Sequence, residues 1–227
     1  MRGVDVFRQV QEITATLIKL SLCNEQTFPS MRDVGEGLQE ITFAGANAVT
    51  TALKTIKYSE VYKVLDKSKA YNFKMLDGAL VQLQFEVHND VISRHRLAFF
   101  PTPELPSYES APESYELDEL YAEILSEAIV ALPVRFDFDG GQERHVEIDH
   151  PKSHLTLGQY RSCRIPVSSP LTPFDFISFL LRNFYNPAYK KFRPQLAWPL
   201  GQLPSCIAQA EVGIPHLRMS GAVGIAA

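Results

Sequence analysis

Two histidines lie within one short polar segment, Asp149-His150-Pro151-Lys152-Ser153-His154. Imidazole exists in neutral and charged forms near pH 7, so two of them can act as general base and general acid on a phosphodiester. On a straight strand, residues four apart share a face but lie about 13 Å apart. The pair can act together only if Pro151 begins a bend. We take His150 and His154 as candidate catalytic residues and Lys152 as a candidate binding residue. The alternative is that both histidines bond to loops where a strand begins.

Arginines form a second group with chemical potential. The planar guanidinium fork grips a phosphate with two bonds and offsets charge in a transition state. We predict a catalytic role for Arg164 and binding roles for Arg161, Arg94 and Arg96. Arg161 and Arg164 face opposite ways on a regular strand, whereas Arg94 and Arg96 share a face. The alternative is that these arginines form salt bridges to an acidic segment.

A metal site would need a third ligand beside the two histidines. Asp149, Asp137 or His145 can supply one, but nothing in the sequence fixes their relation in space. The three cysteines lie far apart and form no CxxC pair. The phosphate-loop, dinucleotide and nucleophile-elbow patterns are also absent from the sequence. We therefore predict no metal and no cofactor.

Charge is distributed unevenly along the chain. Residues 104–149 contain thirteen acidic and two basic residues, whereas residues 151–195 contain seven basic and one acidic. A basic surface can follow a phosphate backbone, which indicates nucleic acid as a partner. An acidic face can instead dock a basic protein partner, encoded nearby. The third alternative is that the two segments pack together and cancel.

Composition indicates a globular protein. The chain has 227 residues, 45% of them hydrophobic, with a formal net charge of −4. An odd, sparse cysteine count suits a reducing compartment. The first residues are interrupted by charge, unlike a signal peptide, and no run of about 18 apolar residues occurs. We expect a cytoplasmic protein that does not insert into a membrane.

Hydrophobic periodicity indicates helices and strands in separate blocks. Helices are predicted over residues 4–22, 46–67, 114–129 and 172–185. Strands are predicted over residues 71–76, 79–87, 91–100, 134–138, 146–149 and 155–167, with a proline-rich loop over 101–113. Asp77-Gly78 and Asn89-Asp90 are turn signals between consecutive strands.

The helix over 172–185 has the clearest signals. Thr172 can cap it, Pro173 fits its first turn, and Asp175 suits its positive end. Its predicted core face carries Phe176, Ile177, Leu180, Leu181 and Phe184.

Sequential hairpins with helices before and after them indicate an α+β fold, with a mainly antiparallel sheet backed by N-terminal helices and a helix near 172–186. We predict one domain over 1–195, helical over 1–68 and sheet-forming over 69–170, followed by a tail over 196–227.

Several pieces of the chain resemble an uncharacterised family of bacterial proteins. They are YNFKMLDGALVQLQFEV, HRLAFFPTP, LPVRFDFD, HPKSHLTLG and CRIPVSSPLTPFDFISFLLRNFY, which lie within residues 71–185. The succession of HPKSHLTLG and CRIP is the most specific part. The resemblance implies no established activity. The histidine-bearing strand is also similar, more distantly, to one in small toxins of bacterial toxin–antitoxin pairs.

Two classes of function follow from these observations. The first is a nucleic-acid-binding or -processing protein, in its sharpest form a metal-independent ribonuclease with a toxin or defence role. The second is a non-enzymatic interaction protein that partners a toxin or a defence effector. Convergence of the histidines and arginines in one open cleft would favour the enzyme. Scattered side chains and a large exposed apolar face would favour the interaction protein.

Overall fold

The computed structural model describes residues 1–43, 56–103, 132–141, 143–160 and 162–219. The helices of these ranges are α1 (Gly3–Lys19), α2 (Tyr58–Lys67), α3 (Pro173–Phe184), α4 (Asn186–Lys191) and α5 (Gln209–Val212). The strands are β1 (Cys23–Gln26), β2 (Pro29–Gly35), β3 (Leu38–Phe43), β4 (Phe73–Met75), β5 (Leu80–His88), β6 (Val91–Phe100), β7 (Val134–Asp139), β8 (Ser153–Leu157) and β9 (Ile165–Pro166).

All of these strands belong to one sheet. Its order is β1-β4-β5-β6-β7-β8-β9, with β3 beside the second half of β5 and β2 outside β3. Each pairing between these strands is antiparallel. The predicted α+β class with an antiparallel sheet is confirmed.

The main core lies between one face of the sheet and the helices α1 and α3. Val81, Leu83, Phe85 and Val87 alternate along β5 and point into it. Leu80 points to the opposite face, where a smaller apolar cluster holds α2. The N-terminal helix and the helix near 172–186 therefore back the sheet, as predicted.

Beyond the α2 cluster, the second face of the sheet is polar, and this polar face carries part of the candidate site. The strand register places Arg94 opposite Glu86 and Asp139. It also places Asp137 between Arg96 and His154. Directly opposed residues point to the same face, so acids and bases alternate across β5–β8.

The helical prediction for residues 1–68 is wrong over 23–43, where β1, β2 and β3 form. The hairpin between β2 and β3 depends on Gly35 and Gly37, whose φ angles are 97° and 75°. Six of the seven β2 residues are exposed, so this strand lacks the apolar alternation that identifies a strand in sequence.

The prediction for α3 is confirmed apart from one residue of its core face. Thr172 and Asp175 form a reciprocal capping box, and Pro173 occupies the first turn. Phe176, Ile177, Leu180 and Leu181 are buried, but Phe184 is 38% exposed and covers Phe99 at the core's edge.

Two other strand predictions need correction. Residues 146–149 form a tight turn closed by a bridge between Val146 and His150. The predicted strand over 155–167 is two short strands, β8 and β9, joined by a turn containing Gly158. The predicted helix over 114–129 lies outside the described residues.

Residues 196–219 pack on the domain. The Trp198 ring stacks on Phe174, with centroids 5.4 Å apart. Cys206 and Leu217 bond to the backbone on either side of Val167. Within the described ranges, no helix has both the length and the apolar character needed to cross a membrane.

Candidate functional site

The two predicted catalytic histidines meet in space. The ring centroids of His150 and His154 are 5.2 Å apart, far less than the separation on a straight strand. His150 closes the turn before β8, Pro151 follows it, and His154 lies within β8. The bend required at Pro151 is therefore present.

His154 is 5% exposed. Its Nδ1 lies 2.9 Å from the carbonyl oxygen of Pro151 and must donate to it, since a carbonyl only accepts. In the neutral ring the lone pair is then on Nε2, which lies 3.8 Å from Oδ2 of Asp137. Burial lowers the pKa of His154, against the opposing effects of the Pro151 carbonyl and the Asp137 charge. The neutral ring therefore predominates at neutral pH.

Asp137 is the acidic centre of the polar face. Its carboxylate pairs with Arg96, at 3.3 Å, and with Arg135. Burial alone would raise the pKa of Asp137, but the charges of Arg135 and Arg96 outweigh it and hold the pKa below its ordinary value. The carboxylate beside His154 is therefore ionised near neutral pH.

His150 is held by the turn that precedes it. Its Nδ1 donates to the carbonyl of Arg144, which again leaves Nε2 as the basic atom of the neutral ring. Asp149 N bonds to Glu147 O at 2.8 Å around Ile148, whose φ is 70°. A γ-turn with positive φ is the rare, strained form, and it is unusual at a β-branched residue.

Arg164 joins this group from the segment before β9. Its Nη1 donates to the carbonyl of Asp149 at 3.3 Å. Its charge also contributes to the lowered pKa of His154. The structure thus brings together the three residues predicted to be catalytic.

The predicted binding residues are dispersed. Arg94 is bonded to Glu86 and Asp139, each at 3.2 Å, and Arg96 to Asp137. The side chains of Arg94 and Arg96 lie on the same face of the sheet, as predicted, but both already form ion pairs with carboxylates. Lys152 is half-buried, and its charge acts on the thiol of Cys206. Arg161 lies outside the described residues.

His95, between Arg94 and Arg96, is structural. It is buried between Phe85 and Phe138, and its Nε2 accepts a hydrogen bond from Leu171 N at 3.0 Å. Burial lowers the pKa of His95 to about 4. The ring therefore stays neutral and carries no charge toward a phosphate.

Sequence reasoning missed two contributors to the site, Arg135 and Glu211. Arg135 could have been found, because alternation along β7 places it on the same face as Asp137. Glu211 is a buried carboxylate whose Oε1 lies 3.4 Å from Nε2 of His145. No local signal connects residues so distant in sequence.

Two further observations bear on ligands. No cluster of three His, Cys, Asp or Glu side chains suited to a metal ion occurs in the part of the chain that the structure describes. Neither His150 nor His154 lines either of two shallow surface pockets. One is lined by Tyr58, Gly158 and Tyr160, and the other by Val34 and His88.

The fold and the site together define a class of protein: an α+β domain with a bent histidine segment at the edge of a polar sheet face. A family model described as an uncharacterized conserved protein (DUF2290) matches residues 22–219. The chain therefore belongs to this uncharacterised family. No curated protein and no solved structure matches it.

Proposed function

We propose that this protein cleaves RNA without a metal ion, using His150 and His154 for proton transfer and Arg164 for phosphate contact. The observation that carries the proposal is the 5.2 Å separation of the two rings. A toxin or defence role in a bacterial cell is part of the same proposal, on the strength of the sequence likeness to small toxins.

The reaction needs a nucleophile that the substrate supplies, because two imidazoles provide only proton transfer. The ribose 2′-hydroxyl of RNA is such a nucleophile. One histidine takes its proton while the 2′-oxygen bonds to phosphorus. The bond from phosphorus to the 5′-oxygen breaks, and the other histidine protonates that oxygen. The products are a 2′,3′-cyclic phosphate and a 5′-hydroxyl.

Burial assigns the two roles. His154 has a lowered pKa and is neutral near pH 7, so it is the base. His150 is the more exposed ring and donates the proton to the leaving oxygen. Both would act through Nε2, since both Nδ1 atoms bond to backbone carbonyls.

Arg164 supplies positive charge to the phosphate. One nitrogen of its guanidinium bonds to Asp149 O, and four further N–H donors can face a substrate. Arg94 and Arg96 belong to the carboxylate network of the polar face, so we assign them to its stability and not to phosphate binding.

The test is cleavage of a single-stranded RNA oligonucleotide by purified protein, with and without EDTA. We expect cleavage in EDTA and none of the same sequence as DNA, which lacks the 2′-hydroxyl. His150→Ala and His154→Ala should abolish it. His88→Ala is the matched control, because His88 is exposed and its ring contacts Glu36 O and Asn89 rather than His150 or His154. Failure to cleave RNA, or loss of cleavage in EDTA, would contradict the proposal.

One feature favours the second class, an interaction protein. β2 is an edge strand that pairs only with β3 among the described strands. Met31 and Val34 are exposed on it, and Phe28 is exposed just before it. An open edge of this kind can take up an extended strand of a protein partner.

The partner to test is the product of a neighbouring gene, co-expressed with this chain and analysed by size-exclusion chromatography. If it adds a strand at β2, Met31→Lys should break the complex. Val91→Lys, a matched change at another exposed strand residue, should not. Two separate elution peaks for the wild-type pair would contradict this candidate.

A further inference from the structure

Glu211 is a buried acidic residue with two partners, one at the start of α5 and one in the turn before β8. It is 1% exposed, in the short helix α5. Its Oε2 accepts from Ala208 N at 2.8 Å, and its Oε1 lies 3.4 Å from Nε2 of His145. A buried carboxylate is costly without partners, and His145 is the side chain that meets it.

His145 lies between two residues that both hold His150. Arg144, on one side, accepts the hydrogen bond from Nδ1 of His150 through its carbonyl. Val146, on the other, exchanges two backbone bonds with His150, at 2.7 and 3.2 Å. A displacement of the chain at His145 would therefore disturb both the bond that holds the His150 ring and the bonds that hold its backbone.

The turn needs such an anchor. Ile148 holds a positive φ of 70° within it, and strained backbone of this kind persists only where the surroundings over-determine it. The segment carrying Glu211 is itself fixed, because Cys206 N and Leu217 O bond to Ser168 on the domain. Glu211 thus connects the turn to a segment that is itself bonded to the core of the domain.

We infer that Glu211 is a positioning residue for His150, acting through His145. The inference rests on the proposed function, because it assigns the C-terminal segment a part in placing the proposed general acid. Loss of Glu211 should misplace the imidazole without removing it. A misplacement of about 1 Å can cost roughly 10²-fold in rate, so kcat should fall while KM changes little.

The experiment measures His150 directly, by ¹H–¹³C NMR of the imidazole Hε1 signals at one fixed pH. The signal is assigned with His150→Ala. Glu211→Gln should change the chemical shift of His150 but leave that of His88. Glu12→Gln, an exposed change on α1, is the matched control. An unchanged His150 signal in folded Glu211→Gln protein would overturn the inference.

A double-mutant cycle with His145→Gln separates positioning from general destabilisation. If Glu211 acts through His145, the double variant should shift the His150 signal no further than either single variant. Additive shifts would overturn the route through His145. If Glu211→Gln does not fold, His145→Gln alone carries the test with the same expected shift. The NMR result stands even if the wild-type protein cleaves no RNA, so the two proposals fail separately.

Discussion

Asp137 and His154 lie directly opposite each other on β7 and β8, with Oδ2 of the carboxylate 3.8 Å from Nε2 of the imidazole. The same carboxylate neutralises Arg96 and Arg135. Asp137 therefore connects the ion pairs of the polar face to the histidine pair at its edge. A proton taken up by His154 would face this negative charge, which suits a residue that acts as a base.

The buried His95 should make the protein acid-labile in a defined range. Burial lowers its pKa to about 4, whereas an unfolded histidine has a pKa of about 6.5. Between these values the unfolded chain binds a proton that the folded chain excludes, so stability falls as the pH falls. Protonation would also remove the acceptor for Leu171 N.

The difference of about 2.5 units corresponds to roughly 3 kcal/mol lost between pH 6.5 and pH 4. His95→Gln keeps an acceptor but does not titrate. Urea unfolding at pH 7 and pH 4.5 should therefore show a smaller loss of stability in this variant than in the wild type. Equal losses would mean that His95 is not the titrating group.

Phe176 should be a major contributor to stability. Its side chain is fully buried in α3 and contacts the ring of Phe136 on β7. Phe176→Ala should cost about 3–5 kcal/mol in the free energy of unfolding. Phe184→Ala, at the more exposed end of the same helix, should cost less. Wild-type-like thermal stability of Phe176→Ala would show that this face is not the core.

Ile148→Gly should not destabilise the fold, although it removes a side chain. A β-branched residue at φ 70° is strained by about 1–2 kcal/mol. Glycine adopts this angle freely but adds about 0.5–1 kcal/mol of unfolded-state entropy. The net effect on urea unfolding should be between zero and about 1.5 kcal/mol of stabilisation. A loss of stability in the variant would show that Ile148 is not strained.

All three cysteines should titrate as free thiols, as found for Cys23, Cys163 and Cys206. Unfolded protein without reductant should give a count of three. In the native protein, burial raises the pKa of Cys23 to about 11 and that of Cys206 to about 12. Both should react slowly with a thiol reagent, and Cys163→Ser should remove any fast phase. A count of one in unfolded protein would reveal a disulfide.

Turn residues and helix-capping residues in the sequence predicted the elements that depend on neighbouring residues alone. The β5–β6 hairpin follows from Asn89-Asp90, which both adopt positive φ, and α3 follows from its capping box. β2 was missed because its exposed residues carry no apolar period. The candidate site depended on non-local contacts. The sequence permits a bend at Pro151 but does not require one. The pairing of Arg96 with Asp137 cannot be predicted before the strand register is known, and that of His145 with Glu211 cannot be predicted before the chain packing is known.

The roles of His154 and Arg164 can be separated from their structural contributions. His154→Ala should abolish RNA cleavage while the melting temperature changes by only a few degrees, because its hydrogen bond is a local one, to the carbonyl of Pro151 three residues earlier. Arg164→Ala should also abolish cleavage, and Arg164→Lys should restore it poorly, because a lysine presents one point charge in place of a fork. Arg182→Ala is the matched control, since Arg182 is exposed on α3, away from the histidines. Circular dichroism must show folded protein in each case. If His154→Ala unfolds the protein, the His154 ring is a structural element. If Arg164→Lys cleaves as fast as the wild type, the guanidinium fork is not what holds the phosphate.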